Sequence, residues 1–270
     1  MDALAAIDHW AATTAAAAVV TADGVVATHG PVDAVVRIAS VTKLLTAYAI
    51  LVAVEEGTVA LDDPAGQPGA TVRHLLAHAG GYGFDGPAPI VGPGRRRIYS
   101  NTGIEMVAGH VEAAAGLSFA VYLREAVLDP LGMSSSELAG SPAHQLRSTV
   151  ADLSAFAREL LAPTLLAPAT LAAATTVQFA GLGGVLPGVG KFEPLDWGLG
   201  FELRDGKQPH WTGRTNSAAT FGHFGGAGTF LWIDPAVAGG LVVLTDRAFG
   251  PWALDAWPPL ADAVIAAVKA

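Results

Sequence analysis

Residues 44–54 (LLTAYAILVAV) are apolar nearly all the way round a helix. A helix with no polar face has to be buried on every side, so other elements must wrap this segment in any fold open to the chain. The residues leading into it are Ser40-Val41-Thr42-Lys43. On a helix, residues three apart lie about one turn apart, roughly 5–6 Å between Cβ atoms, so the lysine amine reaches the serine hydroxyl and can draw off its proton. With the helix starting at Ser40, the hydroxyl also sits beside unpaired backbone N–H groups and the positive end of the helix dipole, which favour an oxyanion. The tetrapeptide alone also reads as an N-cap serine followed by a solvated lysine, so the rest of the chain has to decide.

Hydrophobic residues make up 51% of the 270 and charged residues 14%, a composition that forms a compact globular core and argues against disorder. Residues 3–18 read as an Ala-rich helix, and 18–22 and 25–29 as two short strands joined by Asp23-Gly24. From 61 to 171 the pattern is helical pieces broken by Pro and Gly, with a long loop at 80–94. Residues 197–203, 219–222, 229–233 and 240–245 read as β segments, and 251–268 as a closing helix with Pro near its start. The expected class is α+β: an antiparallel sheet flanked by N- and C-terminal helices, with an all-helical lobe inserted. Residues 1–56 and 190–270 would form the sheet lobe and 57–189 the helical lobe, with a substrate cleft between them.

The net charge of −9 is offset locally only by Arg95-Arg96-Arg97, a solvated turn, so no nucleic-acid partner is expected. Without cysteine there is no disulfide, no thiolate metal site and no cysteine nucleophile. Asp2 and Asp8 and the absence of Lys or Arg before the apolar 11–20 run make a poor signal peptide, and no run of about 18 apolar residues could span a membrane. The expected location is the cytoplasm, or the exterior if a leader has been removed.

Three further places carry candidate chemistry. Tyr99-Ser100-Asn101 follows a Gly/Pro/Arg loop and precedes a helical run, so a phenol and an amide can point one way. Nearby cations would make the phenol a base, and the amide could orient a lysine or a substrate carbonyl. The same residues also suit a helix-capping turn. His223-Phe224-Gly225-Gly226 stands at the end of a β segment, where the glycines let a substrate lie against the strand edge and the Gly226 N–H can serve an oxyanion. A glycine-rich hairpin with an incidental histidine fits it equally. His74 and His78 have metal-ligand spacing but no third ligand nearby, so no metal is expected. The run Gly81–Gly86 matches G-x-G-x-x-G but lacks its strand–turn–helix context, and there is no G-x-S-x-G, H-E-x-x-H or Walker loop.

Taken together, Ser40-x-x-Lys43, Tyr99-x-Asn101 and His223-x-Gly225 resemble the penicillin-recognising serine hydrolases, nearest the branch of class C β-lactamases, D-alanyl-D-alanine carboxypeptidases and family VIII esterases. RIASVTKLLTA (37–47), LDDP (61–64), LLAHAGG (75–81), YSNTGIEMVAGHVEAAAGLSF (99–119), PLGM (130–133), STVADLSAFARELL (148–161), WGLGFE (197–202) and GHFGGAGTFLWIDP (222–235) also look like family segments and cover most of the chain.

The resemblance implies a β-lactamase/transpeptidase-like fold. It implies Ser40 as the acylated nucleophile, Lys43 as its proton acceptor and Tyr99 as a base and acid. Asn101 would hold Lys43 and touch the substrate, as would His223 and Gly225, and the N–H groups of Ser40 and Gly226 would form the oxyanion hole. No cofactor is implied, and the partner is a small ester, amide or β-lactam. The third motif departs from lysine-threonine-glycine: His223 is largely neutral near pH 7 and Phe224 has no hydroxyl, so a substrate carboxylate is held less strongly. The expectation is therefore an esterase-like serine hydrolase with neutral or apolar acyl substrates, Tyr82, Phe84 and Trp211 adding an apolar wall. A β-lactamase or D,D-peptidase is the alternative. A non-catalytic binding or sensing member would show a lost motif residue, yet Ser40, Lys43, Tyr99 and Asn101 are all present.

Overall fold

The computed structural model describes residues 1–269. A short 3-10 helix, Asp2–His9, precedes strands β1 (Ala15–Thr21) and β2 (Gly24–His29), and β3 (Val36–Arg37) leads through a 3-10 turn (Ala39–Val41) into helix α1 (Thr42–Glu55). Then come α2 (Val72–Leu76), β4 (Arg97–Ile98), α3 (Asn101–Ala115), α4 (Phe119–Leu123), β5 (Glu137–Leu138), β6 (Leu146–Ser148), α5 (Val150–Leu161) and α6 (Pro168–Ala174). The chain finishes with β7 (Gly184–Leu186), β8 (Gly190–Phe192), β9 (Glu202–Leu203), β10 (Phe221–Gly225), β11 (Thr229–Asp234), β12 (Gly239–Thr245) and α7 (Pro251–Lys269).

The main sheet runs β2-β1-β12-β11-β10-β9, antiparallel throughout. Its first and last strands in sequence meet in register, Ala15 opposite Thr245 through Thr21 opposite Gly239. This is the α+β architecture expected, with one correction at the start. Residues 10–18 are not helical: the alanines from Ala15 onward form β1. Ala16, Ala18 and Val20 enter the core that contains α1 and α5, while Ala17 and Val19 enter the core beneath α7 and the opening 3-10 helix. A strand buried on both faces carries no polar alternation, so its pattern cannot be told from a helix, and tertiary packing overrides the helix preference of alanine.

The β segments also shift. Only Glu202–Leu203 of the 197–203 run is paired as a strand with β10, and the His223-Phe224-Gly225 stretch lies within β10 rather than beyond its end. α5 packs against β1, β12 and β11, although it falls in the 57–189 stretch.

In α1 every residue from Thr42 to Ala53 is buried, as its unbroken apolarity requires. Gly200, at a positive φ of 84°, lets the loop before β9 touch α1: a Cβ there would lie 2.1 Å from that of Ala47. Among the described residues no single helix is long and apolar enough to cross a membrane.

Candidate active site

Ser40 sits at the junction of β3 and α1. Ile38 is tied to β6 by its N–H to the Leu146 carbonyl, and its own carbonyl accepts from the Thr229 hydroxyl at the start of β11 at 2.8 Å. Between that anchor and the helix, Ala39 takes a left-handed backbone (φ 46°), a conformation costing an alanine of order 1–3 kcal/mol. The strained turn presents Ser40 partly exposed at the head of an otherwise buried helix. β10 comes close on the other side because Gly225 has no side chain: a Cβ there would lie 2.4 Å from the Ile38 carbonyl oxygen and 2.5 Å from Thr229 Oγ1. Gly226 follows in open space, with nothing within 4 Å of such a Cβ.

One turn on, Lys43 is fully buried. Its Nζ lies 2.7 Å from Asn101 Oδ1, 2.9 Å from the Ala143 carbonyl and 3.3 Å from Ser40 Oγ. Burial lowers its pKa to about 7, against smaller upward pulls from Glu105 and Asp85. The amine therefore exchanges its proton near neutrality.

The turn before α3 supplies the next two groups. Ser100 is the cap: its Oγ accepts the Gly103 N–H at 3.0 Å and donates to the Gly83 carbonyl at 2.6 Å. With the capping done by Ser100, its neighbours Tyr99 and Asn101 both turn toward Lys43, so the capping turn and the chemical pair coexist. Asn101 has both ends of its amide engaged, Oδ1 by Lys43 and Nδ2 by Asp85 Oδ1 at 3.0 Å. It is placed to hold the lysine.

Tyr99 is boxed by aromatic rings: His78 (4.8 Å between centroids), His223 (5.3 Å), Trp197 and Phe84 (5.8 Å each). Lys43 Nζ stands 4.7 Å above the ring. Burial raises the phenol pKa well above its ordinary value, and the Ser40 hydroxyl pulls it down by less. The expectation that cations make Tyr99 a ready base is thus reversed; at rest it is a neutral phenol.

His223 is also displaced from its expected role. It is 1% exposed, with Nε2 2.7 Å from the Tyr99 hydroxyl and Nδ1 3.2 Å from Glu202 Oε2. Burial lowers its pKa and keeps it neutral. Both ring nitrogens are taken, so it meets a substrate only through Tyr99. Phe224 points away into the cluster of Trp211, Phe249 and Trp257. Trp211 is buried too, its Nε1–H donating to Glu202 Oε2 at 3.0 Å, and Tyr82 is 3% exposed; neither forms an apolar wall. Phe84 does: it is 49% exposed and stacks on Tyr99.

Three participants escaped the sequence reading: Asp85, Glu202 and the Ala143 carbonyl. Glu202 closes the quoted segment WGLGFE, and Asp85 lies in the glycine run set aside for lacking a helix; a carboxylate beside family-like residues was the available signal. His74 and His78 do not converge. His74 Nδ1 meets the Thr71 hydroxyl at 2.9 Å, while His78 Nδ1 accepts the Ser100 N–H at 3.2 Å.

A partly exposed serine at the head of a buried helix, an amine of near-neutral pKa one turn on and a boxed tyrosine opposite, on an antiparallel sheet with helices on both faces, define a serine hydrolase of the β-lactamase/transpeptidase fold. The chain belongs to the Beta-lactamase family, whose profile matches residues 5–265.

The crystal structure of a beta-lactamase (Mb2281c) from Mycobacterium bovis is similar at 52% identity and a TM-score of 0.98, covering 99% of this chain and 100% of that one. The unliganded simvastatin synthase LovD from Aspergillus terreus, 17% identical with a TM-score of 0.78 over 99% of this chain and 97% of its own, shares the fold. D-alanyl-D-alanine-carboxypeptidase/endopeptidase AmpH of Escherichia coli K12 is 28% identical over 160 residues, 46% of this chain and 42% of AmpH. The match thus spans less than half of that relative.

Proposed function

We propose that the protein is an esterase-like hydrolase working through an acyl-enzyme on Ser40. The observation that carries this is the contact set of Lys43. A neutral amine has two hydrogens and one lone pair. Asn101 Oδ1 and the Ala143 carbonyl can only accept, so they take the hydrogens and leave the lone pair for Ser40 Oγ at 3.3 Å.

In acylation the serine oxygen attacks the ester carbonyl carbon as its proton passes to Lys43 Nζ. In this reading the Ser40 and Gly226 N–H groups serve the oxyanion; losing one such donor costs other enzymes about 10²–10³ in rate. The leaving alcohol then departs with a proton returned from Lys43 by way of the adjacent Tyr99 hydroxyl.

Neutral or apolar acyl groups fit best. His223 is buried and neutral, Phe224 offers no hydroxyl, and the open side carries Phe84 and Ile90, 49% and 63% exposed. Short-chain p-nitrophenyl esters should be turned over, with activity lost in Ser40→Ala and an acyl adduct found on Ser40 by intact mass spectrometry. Undiminished turnover by Ser40→Ala refutes the reading.

A second reading, a β-lactamase or D,D-peptidase, is favoured by one observation besides the AmpH match. Arg37 and Arg147 are paired across β3 and β6 and line a 380 Å³ cavity that also includes Gly226. Two exposed cations there would suit a substrate carboxylate. Nitrocefin hydrolysis faster than ester hydrolysis, reduced by Arg37→Ala or Arg147→Ala, would favour it.

A further inference from the structure

Behind Tyr99 the side chains continue in line. His223 lies between the phenol and Glu202, and Glu202 reaches with its other oxygen to His210 Nε2 at 2.8 Å. Glu202 is 1% exposed and shares no contact with Ser40 or Lys43; nothing in the acylation chemistry uses it.

The proton positions follow from the partners. The Thr212 N–H donates to His210 Nδ1 at 3.3 Å, so the neutral ring carries its hydrogen on Nε2 and gives it to Glu202. Trp211 Nε1, a donor only, gives its hydrogen to Glu202 Oε2. Burial alone would raise the carboxyl pKa, but the hydrogen bonds from His210 and His223, with the Lys207 charge, outweigh it and keep Glu202 ionised. An ionised carboxylate can only accept. His223 must therefore carry its hydrogen on Nδ1, leaving Nε2 bare toward Tyr99, and the phenol donates to it.

We propose that Glu202 is a positioning residue for deacylation, fixing His223 as the terminal acceptor of a proton relayed through Tyr99. The proposal rests on the acyl-enzyme reading above. As water attacks the acyl carbonyl, its O–H breaks and a C–O bond forms. The proton enters the Tyr99 oxygen while the phenol's own proton passes to His223 Nε2, and the imidazolium faces the Glu202 carboxylate. When the bond to Ser40 Oγ breaks, the proton returns by the reverse path, from His223 to the Tyr99 oxygen and from Tyr99 to the serine. No proton is gained or lost. Lys43 takes the serine proton in the first half of the cycle; Tyr99 serves both halves, backed in the second by Glu202 and His223.

Glu202→Gln tests this. The amide keeps the shape of the carboxylate: its oxygen must take the Oε2 place to accept from Trp211 Nε1 and so still holds the His223 Nδ1 hydrogen, but the negative charge that faces the imidazolium formed during the relay is gone. General-base help of this kind is worth about 10²–10⁴ in rate, and losing the charge that stabilises the imidazolium removes it.

With p-nitrophenyl butyrate in stopped flow, Glu202→Gln is expected to release one equivalent of nitrophenol rapidly. A steady state slower than wild type by at least about 10²-fold should follow, with the Ser40 adduct accumulating. A merely structural defect would lower the burst amplitude instead. His223→Phe, which keeps the ring packing and removes the acceptor, should show the same split, and adding Glu202→Gln to it should change little. Wild-type deacylation in either folded variant overturns the relay. If Ser40 is never acylated in wild type or variant, the acyl-enzyme reading falls and the relay with it.

Discussion

Asn101 holds Lys43 at one end of its amide and Asp85 at the other, Oδ1 2.7 Å from the amine and Nδ2 3.0 Å from the carboxylate. The amide thereby joins the buried base to an exposed acid; burial sets the lysine pKa near 7, against smaller upward pulls from Glu105 and Asp85. With Lys43 as the proposed proton acceptor, kcat/KM should rise with pH through a midpoint near the lysine value of about 7. Asp85 and Glu105 pull that value upward, while His78 and His223, which also face the site, are held neutral by burial. Asp85→Asn should move the rising limb to lower pH. Asn101→Asp, which sets a carboxylate against the amine, should move it to higher pH. A pH–rate series on the three proteins checks both directions.

Lys43 also costs stability. Its folded pKa of about 7 lies below the ordinary lysine value of 10.5, so the unfolded chain binds more protons between those limits and stability rises with pH across the window. Lys43→Met should abolish turnover yet stabilise the fold, by an amount on the order of a few kcal/mol below pH 7 that shrinks toward pH 10. The orphaned Asn101 and Ala143 oxygens will offset part of the gain, so the test is its pH dependence in denaturant melts.

Gly225 and Gly226 should differ in their tolerance of a side chain. An alanine at 225 would press on the Ile38 carbonyl and Thr229 hydroxyl, pushing β10 from the serine turn; a cost of about 1–3 kcal/mol and a fall in kcat are expected. An alanine at 226 meets open space and should change the melting midpoint little.

Phe224 and Phe84 separate packing from selectivity. Phe224→Ala opens a hole among Trp211, Phe249 and Trp257 and should cost about 3–5 kcal/mol while leaving the ratio of kcat/KM between long and short acyl esters unchanged. Phe84→Ala, half-exposed on the Tyr99 ring, should do the reverse, lowering the preference for longer acyl chains at small cost in stability.

Much of the site is written in local signals. A serine and lysine three apart at the head of an all-apolar helix, and a tyrosine and asparagine two apart across a capping serine, announce their geometry within a few residues. The remainder arises only when distant segments meet. Glu202 matters because β9 lies beside β10, and nothing at position 202 itself distinguishes it from a solvated carboxylate. His223 was readable as a site residue but not as a buried one, since burial depends on Trp197 and Tyr99 closing over it. β1 was misread because a run of alanines flanked by cores on both sides carries no period at all.

The pairing of β1 with β12 has a consequence for how the molecule is made. Residues 15–21 emerge from a ribosome more than 200 residues before residues 239–245, their main-sheet neighbours on one side. Until that late strand arrives, β1 has only β2 beside it; α5 is made in time to cover one of its apolar faces, but α7, over the other, comes last of all. Contacts so distant in sequence make for slow closure and a long-lived apolar edge. The Ser40 turn takes two of its anchors from Gly225 and Thr229, so it gains its final support only after residues 225–229 have been made.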